Sequence, residues 1–348
     1  MNKELFLFLK IIYKYWNRLK FSIRYGLGIR PNMPVLEKNI IVKPSLKHGI
    51  ASFTMMKDEE DIVEHFIRIN SAWCCHFFIY DDGSSDGTVD IIAKLTEEGF
   101  PITLLKGGGL TYQQNYISTY YVRAIAALEG VDFVFPIDSD EFIFESLEFI
   151  AELNLLRSDE IGYINWRSLV PSGGNVIYSS SAFSTCFESV VVEAAPSQKV
   201  VIPAKLGASI YIEMGNHSAF HFLRPLKKYF FQVRLSHVPV RTCSQVLVKS
   251  LIGSYKFRIK KNKSRGEGSH WLAMAKRCRE NGYVVSDGDL RSISYNYVSP
   301  HVLSMGENLV RFSPTLDFYE LKYDKLLKKN IIPQFDDFVL RVLDEVGR

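Results

Sequence analysis

Residues 131–142, Val-Asp-Phe-Val-Phe-Pro-Ile-Asp-Ser-Asp-Glu-Phe, constrain the fold more than any other stretch of the chain. An apolar, strand-like run ends abruptly on Asp138, Ser139, Asp140 and Glu141. Carboxylates packed at a strand end repel one another and resist desolvation, so they need a counter-charge. A divalent cation such as Mg²⁺ or Mn²⁺ supplies one, because it takes oxygen ligands and shares them with a substrate's phosphates.

A second loop sharpens this reading. The segment Phe77-Phe78-Ile79-Tyr80 predicts a strand that feeds Asp81-Asp82-Gly83-Ser84-Ser85-Asp86-Gly87-Thr88. Gly83 and Gly87 permit tight turns, and Ser85 or Asp86 is placed to cap a helix beginning near Val89. Upstream, Ile50 to Met56 reads as a buried strand, after which Lys57-Asp58-Glu59-Glu60-Asp61 suits the first turn of a helix. Three strand ends thus carry polar residues in sequence. In open α/β sheets ligands sit beyond the carboxyl ends of the strands, which makes the three motifs parts of one site.

The series Met56-Lys57-Asp58-Glu59-Glu60, Tyr80 to Thr88 and Asp138-Ser139-Asp140-Glu141-Phe142 resembles the family 2 glycosyltransferases of the GT-A fold, in the bacterial branch whose metal motif reads Asp-x-Asp-Glu-Phe. The resemblance is specific over residues 50–145 and thinner to about residue 250. Asp58 stands where members commonly have Asn, a departure that bears on donor contacts. The resemblance implies a Rossmann-like α/β nucleotide-diphospho-sugar transferase domain, a nucleotide-sugar donor (a UDP-sugar first), Mn²⁺ or Mg²⁺ on the Asp-x-Asp motif, and inversion at the anomeric carbon. It also implies a cell-surface glycan or glycolipid acceptor, such as lipopolysaccharide or capsule. Asp138 and Asp140 would meet the metal, and Asp82 the base or ribose, with Lys57, Asp58, Asp81, Asp86 and Ser139 as further donor contacts. Asp140 and Glu141 would be the catalytic carboxylates, while the general base stays unassigned among downstream residues such as Glu188, Glu193 and Glu213.

Two later segments join the site on their chemistry. Gly215-Asn216-His217 and Leu235-Ser236-His237-Val238-Pro239-Val240-Arg241 each set a His beside turn residues. Neutral imidazole joins carboxylates readily on Mn²⁺. His217 is the first candidate for the remaining metal ligand, with His237 as the alternative. Arg241 offers a planar fork for a diphosphate, and Arg123, on a helix expected from Tyr112 to Leu128, is a further phosphate partner.

Composition narrows the remaining options. The 348 residues allow one large α/β domain with an appendage: a basic segment over 1–34, the transferase domain over 48–250, and a mainly helical region over 251–348. A net charge of +4 without an interleaved basic and aromatic motif gives no ground for a nucleic-acid partner. Five cysteines without a C-x-x-C pair read as reduced thiols. In the first segment Lys10, Lys14, Arg18 and Lys20 interrupt an apolar, aromatic run, which is too charged to span a bilayer. A helix over residues 3–24 suits the headgroup region of an anionic membrane, and the expected location is the cytoplasm, on the inner face of that membrane. Packing on protein is the alternative.

Two other classes fit the same carboxylates. Haloacid-dehalogenase-like phosphatases also end a strand on Asp-x-Asp, with the first as nucleophile, but their motif strand tends to come first in the domain. Here two βα units precede it and Glu141-Phe142 follows. A nucleotide-sugar-binding protein without catalysis is the third reading.

Overall fold

The computed structural model describes residues 34–37, 39–44, 48–107, 114–173, 182–193, 197–221, 225–259, 269–297, 303–314, 319–327, 334–335 and 338–342. The basic helix expected over 3–24, the glycines at 108 and 109, the far side of the loop after Pro171 and the basic run at 260–268 lie outside the described residues.

The first half alternates strand and helix. Strand β1 (Ile50–Met56) leads to α1 (Val63–Asn70), β2 (His76–Asp81) to α2 (Thr88–Glu97), and β3 (Ile102–Lys106) to α3 (Gln114–Ala126) and β4 (Phe133–Pro136). These four strands are parallel, in the order β3-β2-β1-β4. The order reverses between β1 and β4, the switch point at which such sheets bind ligands.

Then the sheet changes character. After the two-residue β5 (Glu141–Phe142) and α4 (Ser146–Leu153) comes β6 (Glu160–Pro171), followed by β7 (Phe187–Val190) and β8 (Gln198–Pro203). Strand β8 sits antiparallel between β4 and β6, so the sheet continues as β4-β8-β6-β7. A hairpin of β9 (Ile210–Ile212) and β10 (Ala219–His221) stands apart. β11 (Lys227–Phe230) and β12 (Leu235–His237) both run parallel to β6, and β12 also pairs with β5. That last pairing sets Ser236 opposite Phe142 and His237 opposite Glu141, which brings a segment from far along the chain onto the acidic motif.

The remainder is α5 (Cys243–Ile259), α6 (Ser269–Glu280), α7 (Asp287–Tyr295) and a final strand β13 (Leu309–Arg311), which pairs with β7 at the sheet's far edge. The mixed α/β architecture with a helical C-terminal portion is the one the sequence predicts.

The sheet is apolar on both faces. One side packs Phe77 and Phe135 of the strands against Phe66 of α1, Trp73 and Phe149 of α4, and the other packs Phe53 and Val134 against Tyr121, Val122 and Ile125 of α3. Each such side chain contributes about 1.5–3 kcal/mol by leaving water. Asn70, fully buried at the end of α1, links this core to the motif. Its amide donates to Glu141 O at 3.0 Å, while its Oδ1 accepts from Ile143 N at 3.2 Å and from Trp73 Nε1 at 2.9 Å.

One element differs from expectation. The acidic run after Met56 does not open a helix; α1 begins at Val63. Asp58 has φ +54°, in the left-handed region, and the carboxylates that would favour a helix start are engaged elsewhere. Asp58 Oδ1 accepts from Ser85 N at 2.8 Å, and Glu60 Oε2 accepts from Gly87 N at 2.7 Å.

Candidate active site

The loop after β2 is built by its own carboxylates. Asp81 accepts from the backbone N–H groups of Gly83 and Ser84 and from the Ser84 hydroxyl. Asp86 accepts from Glu60 N, Thr88 N and the Thr88 hydroxyl. Burial, with Asp58 nearby, pushes Asp86 up to about 7 despite those three donors. Lys57 Nζ donates to Gly83 O at 2.8 Å and ties the β1 loop to the β2 loop. Asp82, half-buried, follows directly on the strand. The C-terminal part of the chain closes over the same loop. Arg341 Nη2 donates to Gly83 O at 3.0 Å, and Leu326 O lies 2.5 Å from where a Cβ on Gly87 would stand, so Gly87 has no room for a side chain, while Gly83 is held at φ +78°.

The Asp-Ser-Asp-Glu motif lies past the end of β4, on the other side of β1 from this loop's strand. Asp138 N donates to Glu141 Oε2 at 2.9 Å and Glu141 N to Asp138 O at 3.2 Å, which curls the motif into a tight turn. The carboxylate of Asp138 is about one-third exposed, at 31%, and receives Gln114 Nε2 from α3 at 3.3 Å. Its other oxygen is ion-paired with Lys199, a lysine on β8 with a fully buried side chain. Lys199 Nζ also stands 3.3 Å from Glu141 Oε1 and donates to Gly215 O at 2.8 Å. Burial works against its charge, but Asp138 and Glu141 outweigh burial and hold it above the ordinary lysine value. Glu141 is also fully buried, and burial drives it well above the usual carboxylate range, with Asp138 and Asp140 adding to the shift. Lys199 thus sits charged between the carboxyl groups of Asp138 and Glu141.

Asp140 looks the other way. Its Oδ1 lies 3.8 Å from His237 Nε2 and its Oδ2 3.8 Å from Arg241 Nη1. Burial raises its carboxyl, partly offset by Lys249 and Arg241. Arg241, expected on a diphosphate, has a fully buried guanidinium bound to Asp61 at 2.9 Å and Glu59 at 2.6 Å. Lys249 from α5 pairs with Glu59 as well. The guanidinium thus locks the β1 loop to the acidic motif. Arg123, also expected on phosphate, donates through Nε to Ile210 O at 2.7 Å.

Both histidines reach the site and pack on Trp166 of β6. His237 stacks on the indole at 3.9 Å between centroids, and His217 meets it edge-on at 5.2 Å. Burial, reinforced by the positive charge of Lys199, lowers both imidazoles, His237 far below its usual value, so both are neutral. His217 Nδ1 lies 2.8 Å from Gln198 O; a carbonyl only accepts, which fixes the tautomer with the lone pair on Nε2. That is the outer bond typical of a metal-ligating imidazole. His237 Nδ1 is buried with no hydrogen-bond partner. Among the described residues no group of three or more His, Cys, Asp and Glu side chains converges as a ready cage. The donor chemistry nevertheless fits a divalent ion: an anionic oxygen on Asp140 faces a neutral imidazole, and Asp138 keeps an exposed flank.

Sequence reading missed Lys199, Trp166 and the Glu59–Asp61–Arg241 network. A lysine within Gln198-Lys199-Val200-Val201-Ile202 interrupts an otherwise apolar strand, and that interruption was the available signal.

Comparison with solved structures gives distant likenesses. One is S. aureus TarS 1-349, at 13% identity and a TM-score of 0.36, covering 68% of this chain and 74% of that one. Another is the mannosyltransferase PcManGT from Pyrobaculum calidifontis in complex with GDP-Man and Mn²⁺, at 9% identity and 0.34, covering 82% and 77%. A third is glucosyl-3-phosphoglycerate synthase from Mycobacterium tuberculosis in complex with Mn²⁺, UDP and glucosyl-3-phosphoglycerate, at 16% and 0.24, covering 33% and 43%. At these TM-scores the likeness carries no argument about chemistry. No protein-family model matches the chain, and no curated protein matches it.

Proposed function

We propose that this chain is a metal-dependent inverting glycosyltransferase that moves a sugar from a nucleotide-sugar donor to a glycan or glycolipid acceptor. The observation that carries the reading is that the Asp82 loop and the Asp138–Asp140 turn follow the carboxyl ends of β2 and β4, the two strands that flank β1 at the switch point. Asp140, with His237 or His217, would hold Mn²⁺ or Mg²⁺, and Asp138 would add its exposed flank. A bound ion there offsets the charge that grows on a leaving diphosphate.

The protein's own groups do the rest. Asp82 and the Gly83–Ser84 backbone form the nucleotide cradle, held in shape by Asp81, Lys57 and Asp58. Arg241 fixes Asp140 relative to that cradle through Glu59 and Asp61. Lys199 keeps a positive charge beside Asp138. Inversion calls for an acceptor hydroxyl to attack the anomeric carbon from the face opposite the diphosphate, with its proton passing to a carboxylate or imidazole.

Hydrolysis of a panel of nucleotide-sugars with added Mn²⁺ or Mg²⁺, set against p-nitrophenyl phosphate, tests this. Metal-dependent release of nucleoside diphosphate from one or more donors supports the transferase. Cleavage of the phosphomonoester alone moves the protein to the phosphatase reading, and binding without turnover to a non-catalytic one.

The basic segment over 3–24 extends the proposal to a cytoplasmic membrane surface. Among the described residues no helix is long and apolar enough to cross a membrane. Each Lys or Arg near an anionic surface contributes about 1 kcal/mol, so Lys10, Lys14, Arg18 and Lys20 would give salt-sensitive binding. Flotation with anionic vesicles at low salt tests this, and full-length protein that stays with the aqueous fraction rejects it.

A further inference from the structure

Trp166 has a second side. While one part of its indole packs on His237 and His217, the residue also lines a cavity of about 200 Å³ together with Asn165, Val191, Val192, Glu193 and Arg234. The cavity therefore abuts the Asp140–His237 pair through a single side chain. Two features of its wall, and one buried behind it, are unusual. Trp166 is only 6% exposed, yet its indole N–H is buried without an acceptor, and buried donors are rarely left so. Arg234 is exposed and has no ion-pair partner among the described residues, unlike Arg241 and Arg167, which are paired with carboxylates. Glu193 is held in place through Oε1, which accepts from Ser168 N at 2.6 Å, so its second oxygen is available to a ligand hydroxyl. Val191 and Val192, both nearly half exposed, complete an apolar patch beside these polar groups.

We infer that this cavity is the acceptor subsite, and that it takes a sugar unit carrying an anionic group, a phosphate or a carboxylate. The inference rests on the transferase reading above and adds the chemical class of the acceptor. An aromatic wall with a few fixed polar groups is what a sugar ring needs: C–H faces against the apolar patch, and hydroxyls to Asn165 and Glu193. A lone guanidinium at the rim selects the anion, since its planar fork matches phosphate and carboxylate oxygens. The volume admits one ring rather than a chain of them.

The test needs no donor, which separates it from the transferase assay. The indole N–H resonance of Trp166, assigned by its loss in Trp166→Phe, is followed in full-length protein during titration. The probes are glucose 6-phosphate, glucuronic acid, methyl glucoside and inorganic phosphate. The expected result is a shift of that resonance with both anionic sugars. Arg234→Ala should weaken their binding roughly ten- to a hundredfold, the value of a charge-assisted bond, while leaving the weaker methyl glucoside unchanged. Glu193→Gln should weaken all three sugars. No shift with any sugar, or equal affinities in wild type and Arg234→Ala, overturns the proposal. Inorganic phosphate binding as tightly as glucose 6-phosphate overturns it too, because the site would then read an anion and not a sugar. A protein that binds the anionic sugars in this way yet hydrolyses no nucleotide-sugar would refute the transferase reading and leave a sugar-binding cavity.

Discussion

Replacing Lys199 with Met should be among the most damaging single changes in the sheet. The ammonium is fully buried and serves Asp138, Glu141 and Gly215 O at once. Breaking a buried ion pair from one side costs about 3–5 kcal/mol, because the partner keeps its charge without compensation. The partial access of water to Asp138 places the cost near the lower end. We expect a loss of about 3 kcal/mol in urea unfolding followed by tryptophan fluorescence, with little change in slope. Adding Asp138→Asn in the same chain removes the stranded charge, and the double variant should recover about 2 kcal/mol of that loss. If Lys199→Met costs under about 1 kcal/mol, or if the two changes add without coupling, the pairing does not hold the turn in place.

Three further outcomes follow from the same geometry. Asp140→Asn should abolish metal-dependent turnover while shifting the urea midpoint little, because the residue sits in a turn; full activity in the variant would refute its role. His237→Ala should raise the Mn²⁺ concentration needed for half-maximal binding, read by electron paramagnetic resonance of free Mn²⁺; if only His217→Ala does so, the ligand is His217. Acid should weaken the fold through His76, whose imidazole burial holds down to about 4 against an ordinary 6.5, so between those values the unfolded chain takes the proton first. That window is worth up to about 3 kcal/mol, and His76→Gln, which keeps a partner for Thr103, should flatten stability across it.

The parallel half of the fold was readable because its signals are local. Ile50 to Met56 and Phe77 to Tyr80 are short apolar runs that end on polar loops, and β1 and β2 are found there. The helix start after Met56 was misread for the opposite reason. Glu59 and Asp61 resemble first-turn acids, but their partner Arg241 lies 180 residues beyond Asp61, and no local pattern reveals it. Lys199 shows the same limit. Its burial follows from β8 inserting beside β4, a pairing between strands that sequence order does not make neighbours. The position of the Asp-x-Asp turn at a strand end was legible, while the residues that fix its charge were not, since they arrive from β8, β12 and α5 through tertiary contact.

The hold of Arg341 on Gly83 spans 258 residues, and this separates the two in time as well as in sequence. At roughly 5–20 residues per second of synthesis, the β2 loop emerges on the order of 13–50 seconds before the segment that covers it. Through that interval the nascent first half carries an uncovered, glycine-rich acidic loop. The bond from Arg341 to Gly83 therefore forms only after the strands that carry the loop have long left the ribosome.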